Sequence, residues 1–462
     1  MVAPKRSRRN TISKSKFTAG RQCLKRQWLQ IHRPDLEEET STDIKEQGTA
    51  VGVLARTAFP GGVLVETDNY DFDAAVFETQ QLMADPKVLV LFEAAFVYNQ
   101  LRIRVDVLAR MGEGWSIGVI PNKEADYLAS EVKASNSVKE HQIEDVSFQV
   151  YVLRKNGLQV REVTICHLNR DYIYPGGKIE TAKLFKMEPV VAKTTEWVEA
   201  ELAKQLPIIG QATPPVVETG SHCHSPYPCE FQRYCRGERV ENAAITKINR
   251  AGLRLLNTLR WPLHFFDFEA LSPAIPSFIG TRPWQQILTQ WSCHTQYAPG
   301  SPFVHSEYLH EEMSDPRRAV AESLIRTLGE TGSVIIYSSY ERTRLRELAE
   351  WYPDLRPALE QIMSRLWDLH VIVKGVFDIT DPVWNGSLGI KSVSKVLAPK
   401  DVNYNALEIA NGDAAMAAWR RLITLPNGPE KDAIRERLSA YCSVDTKAEI
   451  HILRWMVTLA TS

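Results

Sequence analysis

Apolar and polar positions alternate most clearly between residues 87 and 168, and the pattern reads as strands. KVLVLFEAAFVYN, LRIRVDVLARMG, YLASEVKAS and VREVTICHLN are rich in Val, Ile and aromatic residues, which suit a pleated, half-buried surface. Between the third and fourth of these, residues 144–155 carry a helical period. Upstream, SKSKFTAGRQCLKRQWLQIH predicts one basic amphipathic helix from Ser13, its cap, to about residue 39. Two more helices are predicted over residues 46–59, closed by the Pro-Gly-Gly turn at 60–62, and over 72–84. Farther on, KINRAGLRLLNTL (247–259) reads as a connecting helix, and HFFDFEAL, TQWSCHTQY and SVIIYSSY as strands followed by long helices. The expected class is α/β in two domains, residues 1–240 and 263–462, joined through 241–262.

Composition changes this picture little. With 462 residues, 44% hydrophobic and 24% charged, the chain is globular and too long for one ordinary core. Its net charge of −1 excludes no partner. The distribution says more: residues 1–30 hold nine Lys or Arg and no Asp or Glu, a candidate contact for a phosphate backbone, although residues 1–11 read equally well as a solubilising tail. The N-terminus lacks an apolar signal core, and no run approaches the roughly 18 apolar residues that span a bilayer. A cytoplasmic protein without a membrane partner is expected.

Seven cysteines in 462 residues make a poor disulfide framework for a reducing compartment. Three of them, Cys223, Cys229 and Cys235, stand at an even stride in HCHSPYPCEFQRYC, five residues between each pair. Clustered thiols there bind metal more often than they pair, and a four-ligand site needs a fourth donor from elsewhere. Cys166, within a predicted strand, reads as a small buried hydrophobe.

Two acid groups carry candidate chemistry. In the first, Asp106 lies in RIRVDVLA and Glu131-Val132-Lys133 in the next strand; alternation puts Glu131 and Lys133 on one face. Two carboxylates and an ammonium there suit a divalent metal and a polarised phosphate, with Asp106 and Glu131 as ligands and Lys133 orienting the attacking water. Glu93 is a third carboxylate upstream, and Gln149 and Tyr151 on the following helix are placed to position a nucleotide. This order resembles the PD-(D/E)XK nuclease superfamily, and within it the RecB-like branch that includes CRISPR-associated exonucleases and helicase-nuclease subunits with an iron-sulfur cluster. The resemblance implies a restriction-endonuclease-like fold and makes Cys23, in GRQCLKRQWL, the fourth ligand beside Cys223, Cys229 and Cys235 of a [4Fe-4S] cluster. Two features depart from that branch: the even C-x5-C-x5-C spacing, beside which His222 and His224 are rival zinc ligands, and the lack of a His in GTAVGVLART.

In the second group, HFFDFEAL places Asp267 and Glu269 on one strand face, Tyr340 and Glu341 end the strand VIIYSSYE, WDLH carries Asp368, and Tyr441 precedes Asp445 by one turn in AYCSVDTKA. Acids so gathered suit two divalent metals about 4 Å apart. D-x-E early and Y-x3-D late resembles the DEDD exonucleases of the RNase H-like fold, in the subgroup with tyrosine in the last motif. The resemblance implies Asp267, Glu269, Glu341 and Asp445 as ligands of Mg²⁺ or Mn²⁺, Asp368 in support and Tyr441 aligning water, with Glu341 standing where the family usually has Asp. The turn and helix in NGSLGIKSVSKVL bring Lys391 and Lys395 as phosphate contacts, and Trp284 is a candidate base-stacking residue or a core aromatic.

Together the two resemblances imply a metal-dependent exonuclease acting on DNA, preferably single-stranded, in repair, CRISPR adaptation or anti-phage defence, with helicase or defence-protein partners. Two alternatives stand beside it: a nucleic-acid-binding scaffold with one or both sites inactive, and an RNA 3′-to-5′ exonuclease similar to RNase D.

Overall fold

The computed structural model describes residues 11–38, 42–67, 71–111, 126–236, 245–384, 386–398, 402–409 and 411–462. The basic residues 5–9 of the N-terminal arm therefore lie outside the described part. Two compact units divide the chain: one takes residues 1–40, 44–239 and 274–284, the other 41–43, 240–273 and 285–462. The fold is mixed α/β throughout. Among the described residues no helix is long and apolar enough to cross a membrane.

In the first unit the chain opens with β1 (Ile12–Ser13), α1 (Lys14–Gln22) and α2 (Leu24–His32). Helix α3 (Thr42–Arg56), β2 (Val63–Leu64) and α4 (Phe72–Ala84) follow. Next come β3 (Val90–Tyr98), β4 (Leu101–Met111), β5 (Asp126–Lys133), α5 (Glu140–Lys155), β6 (Gln159–Leu168) and β7 (Phe185–Pro189). The sheet runs in the order β2-β3-β4-β5-β6-β7, with β1 parallel to the start of β4. The expected single helix from Ser13 is two helices, because Cys23 adopts an extended conformation (φ −163°, ψ 121°) while its N–H still closes α1 on the Ala19 carbonyl. Phe17 of α1 stacks on Phe148 of α5 with centroids 4.6 Å apart, both fully buried. Gly20 allows this close packing: a Cβ there would lie 2.5 Å from the Gln205 side chain.

The second unit holds β8 (Leu263–Leu271), β9 (Ile287–Gln296), β10 (Phe303–Leu309), β11 (Ser333–Ile336) and β12 (Leu366–Asp368). Its order is β10-β9-β8-β11-β12; β8, β9 and β10 pair antiparallel, while β8, β11 and β12 run parallel. Alternate residues enter two separate cores: Phe265 and Ile335 one, Phe266, Phe268, Val334 and Ile336 the other. Such a sheet is covered on both faces, which is why its strands read as near-continuous apolar runs.

Two expectations about this unit are corrected. The connecting segment is a 3-10 helix over Arg250–Thr258, not an α-helix over 247–259. Leu253, Leu256 and Leu259 repeat every third residue and all pack into one core, which matches the three-residue turn of that helix. Glu341 is not at a strand end: β11 stops at Ile336, and Glu341 lies in the first turn of the helix Tyr340–Trp351. The Ser338 hydroxyl accepts the Tyr340 N–H at 3.1 Å and turns the chain there.

Candidate functional site

The first acid site forms where two strands part. β4 and β5 pair from Met111 with Asp126 as far as Val107 with Ser130. Beyond that pair the Val132 N–H donates to Asp106 Oδ2 at 2.7 Å instead of to a backbone carbonyl. Glu131, 1% exposed, accepts from Lys133 Nζ at Oε1 (2.7 Å) and from Gln149 Nε2 at Oε2 (2.7 Å). Lys133 also reaches Asp145 Oδ2 at 2.6 Å. Glu93 stands opposite Asp106 where β3–β4 pairing is interrupted, with φ +59° and its carboxylate 3.2 Å from Arg56. A left-handed Glu costs about 1–3 kcal/mol, and such strain gathers at functional sites.

Burial, then the charge of Glu131, pushes Asp106 up to about 7, with Glu93 adding to the effect. Burial works against the Glu131 carboxylate, but Lys133 and Lys14 outweigh it and hold it well below the usual range. The expected Asp106, Glu131, Lys133 and Gln149 are thus brought together. Tyr151 is not with them; its hydroxyl meets Glu199 at 3.3 Å and its ring packs edge-on against Tyr98. Two residues along a helix is about 200° of rotation, which carries Tyr151 to the face away from Gln149. Trp284 is likewise committed to packing: its indole N–H donates to the Ala134 carbonyl and its ring packs against the core that holds Cys166, Leu168 and Phe185.

Cys23, Cys223, Cys229 and Cys235 line one pocket of this unit, together with Lys25, Arg26 and His222. Gln22, the last residue of α1, ties the loop down by donating to the His222 and Tyr227 carbonyls at 2.7 Å each. Burial pushes the Cys229 thiol up to about 11 and raises Cys235. His222 Nε2 lies 3.8 Å from Cys223 Sγ. Among the described residues, three metal-ligand atoms converge within 4.8 Å at Asp267, Glu269 and Cys442, but no three of these four thiols come so close. Cys166 is fully buried and its thiol is pushed up to about 12, as a core residue.

The second acid site lies toward the carboxyl ends of three parallel strands, the usual location of sites in α/β sheets. Asp267 and Glu269 come from β8, Glu341 follows β11, and Asp368 ends β12. The helix Pro429–Thr461 adds Tyr441, Asp445 and Glu449, each four residues apart and all buried. Glu341 Oε2 and Glu449 Oε2 are buried without a hydrogen-bond partner. Burial pushes Glu269 and Glu341 up to about 8. It also raises Asp267 and Glu449 well above their ordinary values, with neighbouring carboxylates adding to both.

Asp445 is raised by burial, opposed by the Tyr404 hydroxyl, which donates to Oδ1 at 2.5 Å. Lys391 lowers both Glu269 and Asp445. Its Nζ sits 5.1 Å above the Tyr404 ring and 5.3 Å above that of Tyr441, 3.5 Å from the Tyr441 hydroxyl. Asp368 is near Glu341 but caps a helix, accepting the His370 N–H at 2.9 Å. Buried carboxylates in such number, with donors left over, have the chemistry of a divalent-metal cradle; Cys442, a soft thiol among hard oxygens, fits Mg²⁺ or Mn²⁺ poorly.

Sequence reasoning missed Lys14, Asp145, Tyr404 and Glu449. Asp145 and Glu449 had a signal, since each stands four residues from a chosen residue, Gln149 and Asp445, on the same helix face. Lys14 and Tyr404 had none.

Comparison with known proteins finds a domain of unknown function (DUF2779) matching residues 264–388. An uncharacterized protein of Mycoplasma genitalium, MG366, is 26% identical over 228 residues, 44% of this chain and 33% of its own length. The uncharacterized protein UU173 of Ureaplasma parvum is 24% identical over 228 residues, 45% of this chain and 33% of its own. The matched part thus spans about a third of the length of these relatives.

Proposed function

We propose that the chain is a metal-dependent nuclease with two phosphodiester-hydrolysing sites. On this reading the first unit is a RecB-like PD-(D/E)XK domain with a four-cysteine iron-sulfur cluster, and the second a DEDD exonuclease of RNase H-like fold. The observation that carries it is the carboxylate cluster of Asp267, Glu269, Glu341, Asp445 and Glu449, at the carboxyl ends of parallel strands, with Lys391 acting on Glu269 and Asp445. So much negative charge taken out of water costs several kcal/mol per ion unless cations offset it. Divalent metals held there would activate a water and stabilise the leaving oxygen. Tyr441 and Lys391 stand beside the acids for the water and the phosphate. In the first unit, Asp106 and Glu131 would hold the metal, while Lys133 and Gln149 orient the reacting groups.

At the cysteine pocket, the four thiols that line it would hold the cluster. Lys25 and Arg26 at the pocket suit an anionic cluster.

The test uses anaerobically purified protein, end-labelled single-stranded DNA and RNA, and Mg²⁺ or Mn²⁺. Wild type is run beside Glu131→Ala, Asp445→Ala and the double variant. We expect the double variant to lose degradation by about a hundredfold or more, with the single variants dividing the activity between the sites and DNA preferred to RNA. Binding of both strands by wild type without cleavage would replace this reading with the scaffold.

A further inference from the structure

We propose that Lys14 is a resident counter-cation of the first acid site: its ammonium bridges Asp106 and Glu131, competes with a divalent metal for them, and on displacement pairs with the phosphate of the bound strand. The proposal rests on the nuclease reading of this unit. Lys14 Nζ lies 2.7 Å from Glu131 Oε1 and 3.4 Å from Asp106 Oδ1. These carboxylates, from adjoining strands, are the two that would ligate the metal. An ion about 2.1 Å from an oxygen of each would need the space the ammonium fills.

The placement is built into the fold. β1 pairs with Leu101 and Arg102 of β4, on the stretch of that strand before the part β5 covers. Lys14 is the next residue, the first of α1, and the Ser13 hydroxyl accepts the Lys16 N–H to start that helix. Phe17 anchors the helix to α5, and its far end meets Cys23 of the cysteine pocket. Backbone anchoring leaves the four-carbon stem free to move the charge, and the side chain is 28% exposed. Lys133, by contrast, is held by two short bonds, 2.7 Å to Glu131 and 2.6 Å to Asp145.

Charge balance favours the exchange. Asp106, Glu131 and Asp145 against Lys14 and Lys133 leave one net negative charge when all are ionised. A divalent ion turns that into one positive charge, equal and opposite to a phosphodiester. With Lys14 neutralised by substitution, the metal-loaded site would be neutral and would hold the phosphate more weakly.

The experiment uses the full chain carrying Asp267→Asn and Asp445→Asn, so that the first site is read alone. Lys14→Met, Lys14→Gln and Glu131→Ala are each added to it. Mn²⁺ affinity is measured by electron paramagnetic resonance, affinity for an end-labelled single strand in Ca²⁺ by anisotropy, and folding by thermal melting. We expect both Lys14 variants to melt cooperatively, to bind Mn²⁺ about tenfold more tightly and the strand about tenfold more weakly. Unchanged or weaker Mn²⁺ binding in the folded Lys14 variants, with Glu131→Ala abolishing it, would overturn the role of Lys14 alone. If Glu131→Ala leaves Mn²⁺ binding intact, the metal-site reading falls and this proposal with it.

Discussion

In EDTA at pH 8.5, Asp267→Asn will melt several degrees above wild type, and Mn²⁺ will raise its melting temperature less than it raises that of wild type. The cause is the crowding of carboxylates around β8. Burial and mutual repulsion act on Asp267, with Asp445, Glu269 and Glu341 as its charged neighbours. Replacing it with a neutral amide of nearly the same shape removes one desolvated charge and one source of repulsion. That change is worth about 1–3 kcal/mol, or roughly 3–8 °C for a unit of this size. On the proposed nuclease reading the same substitution removes a metal ligand, so exonuclease activity of the second site should fall by about a hundredfold or more. A variant that is less stable than wild type in EDTA, and stabilised by Mn²⁺ as much as wild type is, would contradict the metal cradle.

The pH dependence has a definite sign. Glu269 and Glu341 are pushed up to about 8, above the ordinary glutamate value of 4.5. The folded state therefore binds their protons more tightly than the unfolded chain, and stability falls with rising pH wherever it holds the extra protons. Their contribution is full below about pH 4.5 and is lost as pH rises through about 8. Metal-free wild type should melt higher at pH 6 than at pH 8.5, and the advantage of Asp267→Asn should shrink at the lower pH. Scans in EDTA and in Mn²⁺ at both values check this.

Cys229→Ala will cost at least about 3 kcal/mol of stability and strip the absorbance around 400 nm expected of the anaerobic protein. A centre at this pocket would join Cys23, between α1 and α2, to a loop far along the chain. Its binding energy would then be folding energy, and closing so long a loop removes much entropy from the unfolded state. Cys166→Ala is the control: that thiol is packed in a core with Leu168 and Leu184, so the variant should lose stability without losing colour. Equal spectra and equal melting for Cys229→Ala and wild type would remove the centre.

Much of this architecture was legible without coordinates. The strands β3 to β6 and β8 were readable because each alternates or runs apolar over its whole length, and α4 because its period is regular over 13 residues. The break at Cys23 was not legible, since both sides share one amphipathic pattern and the kink is made by a single extended residue. Glu341 was placed on a strand because SVIIYSSY continues to look apolar and β-branched; a serine-capped turn decided otherwise. The segment 274–284 was assigned by its position in the sequence to the second domain, whereas it packs with the first unit, where Gln47 accepts the Ala274 N–H at 2.6 Å.

The sequence by itself determined the α/β class, the order of most strands along the chain and most of the acids at both candidate sites, because periodicity and short motifs are local and spacing of two or four residues survives folding. Tertiary structure alone decided that Lys14 reaches Glu131 across 117 positions and Tyr404 reaches Asp445 across 41. It also decided that four thiols share one pocket and that buried carboxylates crowd around Asp267. Those outcomes depend on which strands pair and which side chains leave water together, and the energy of a charge is set by such neighbours rather than by its place in the chain.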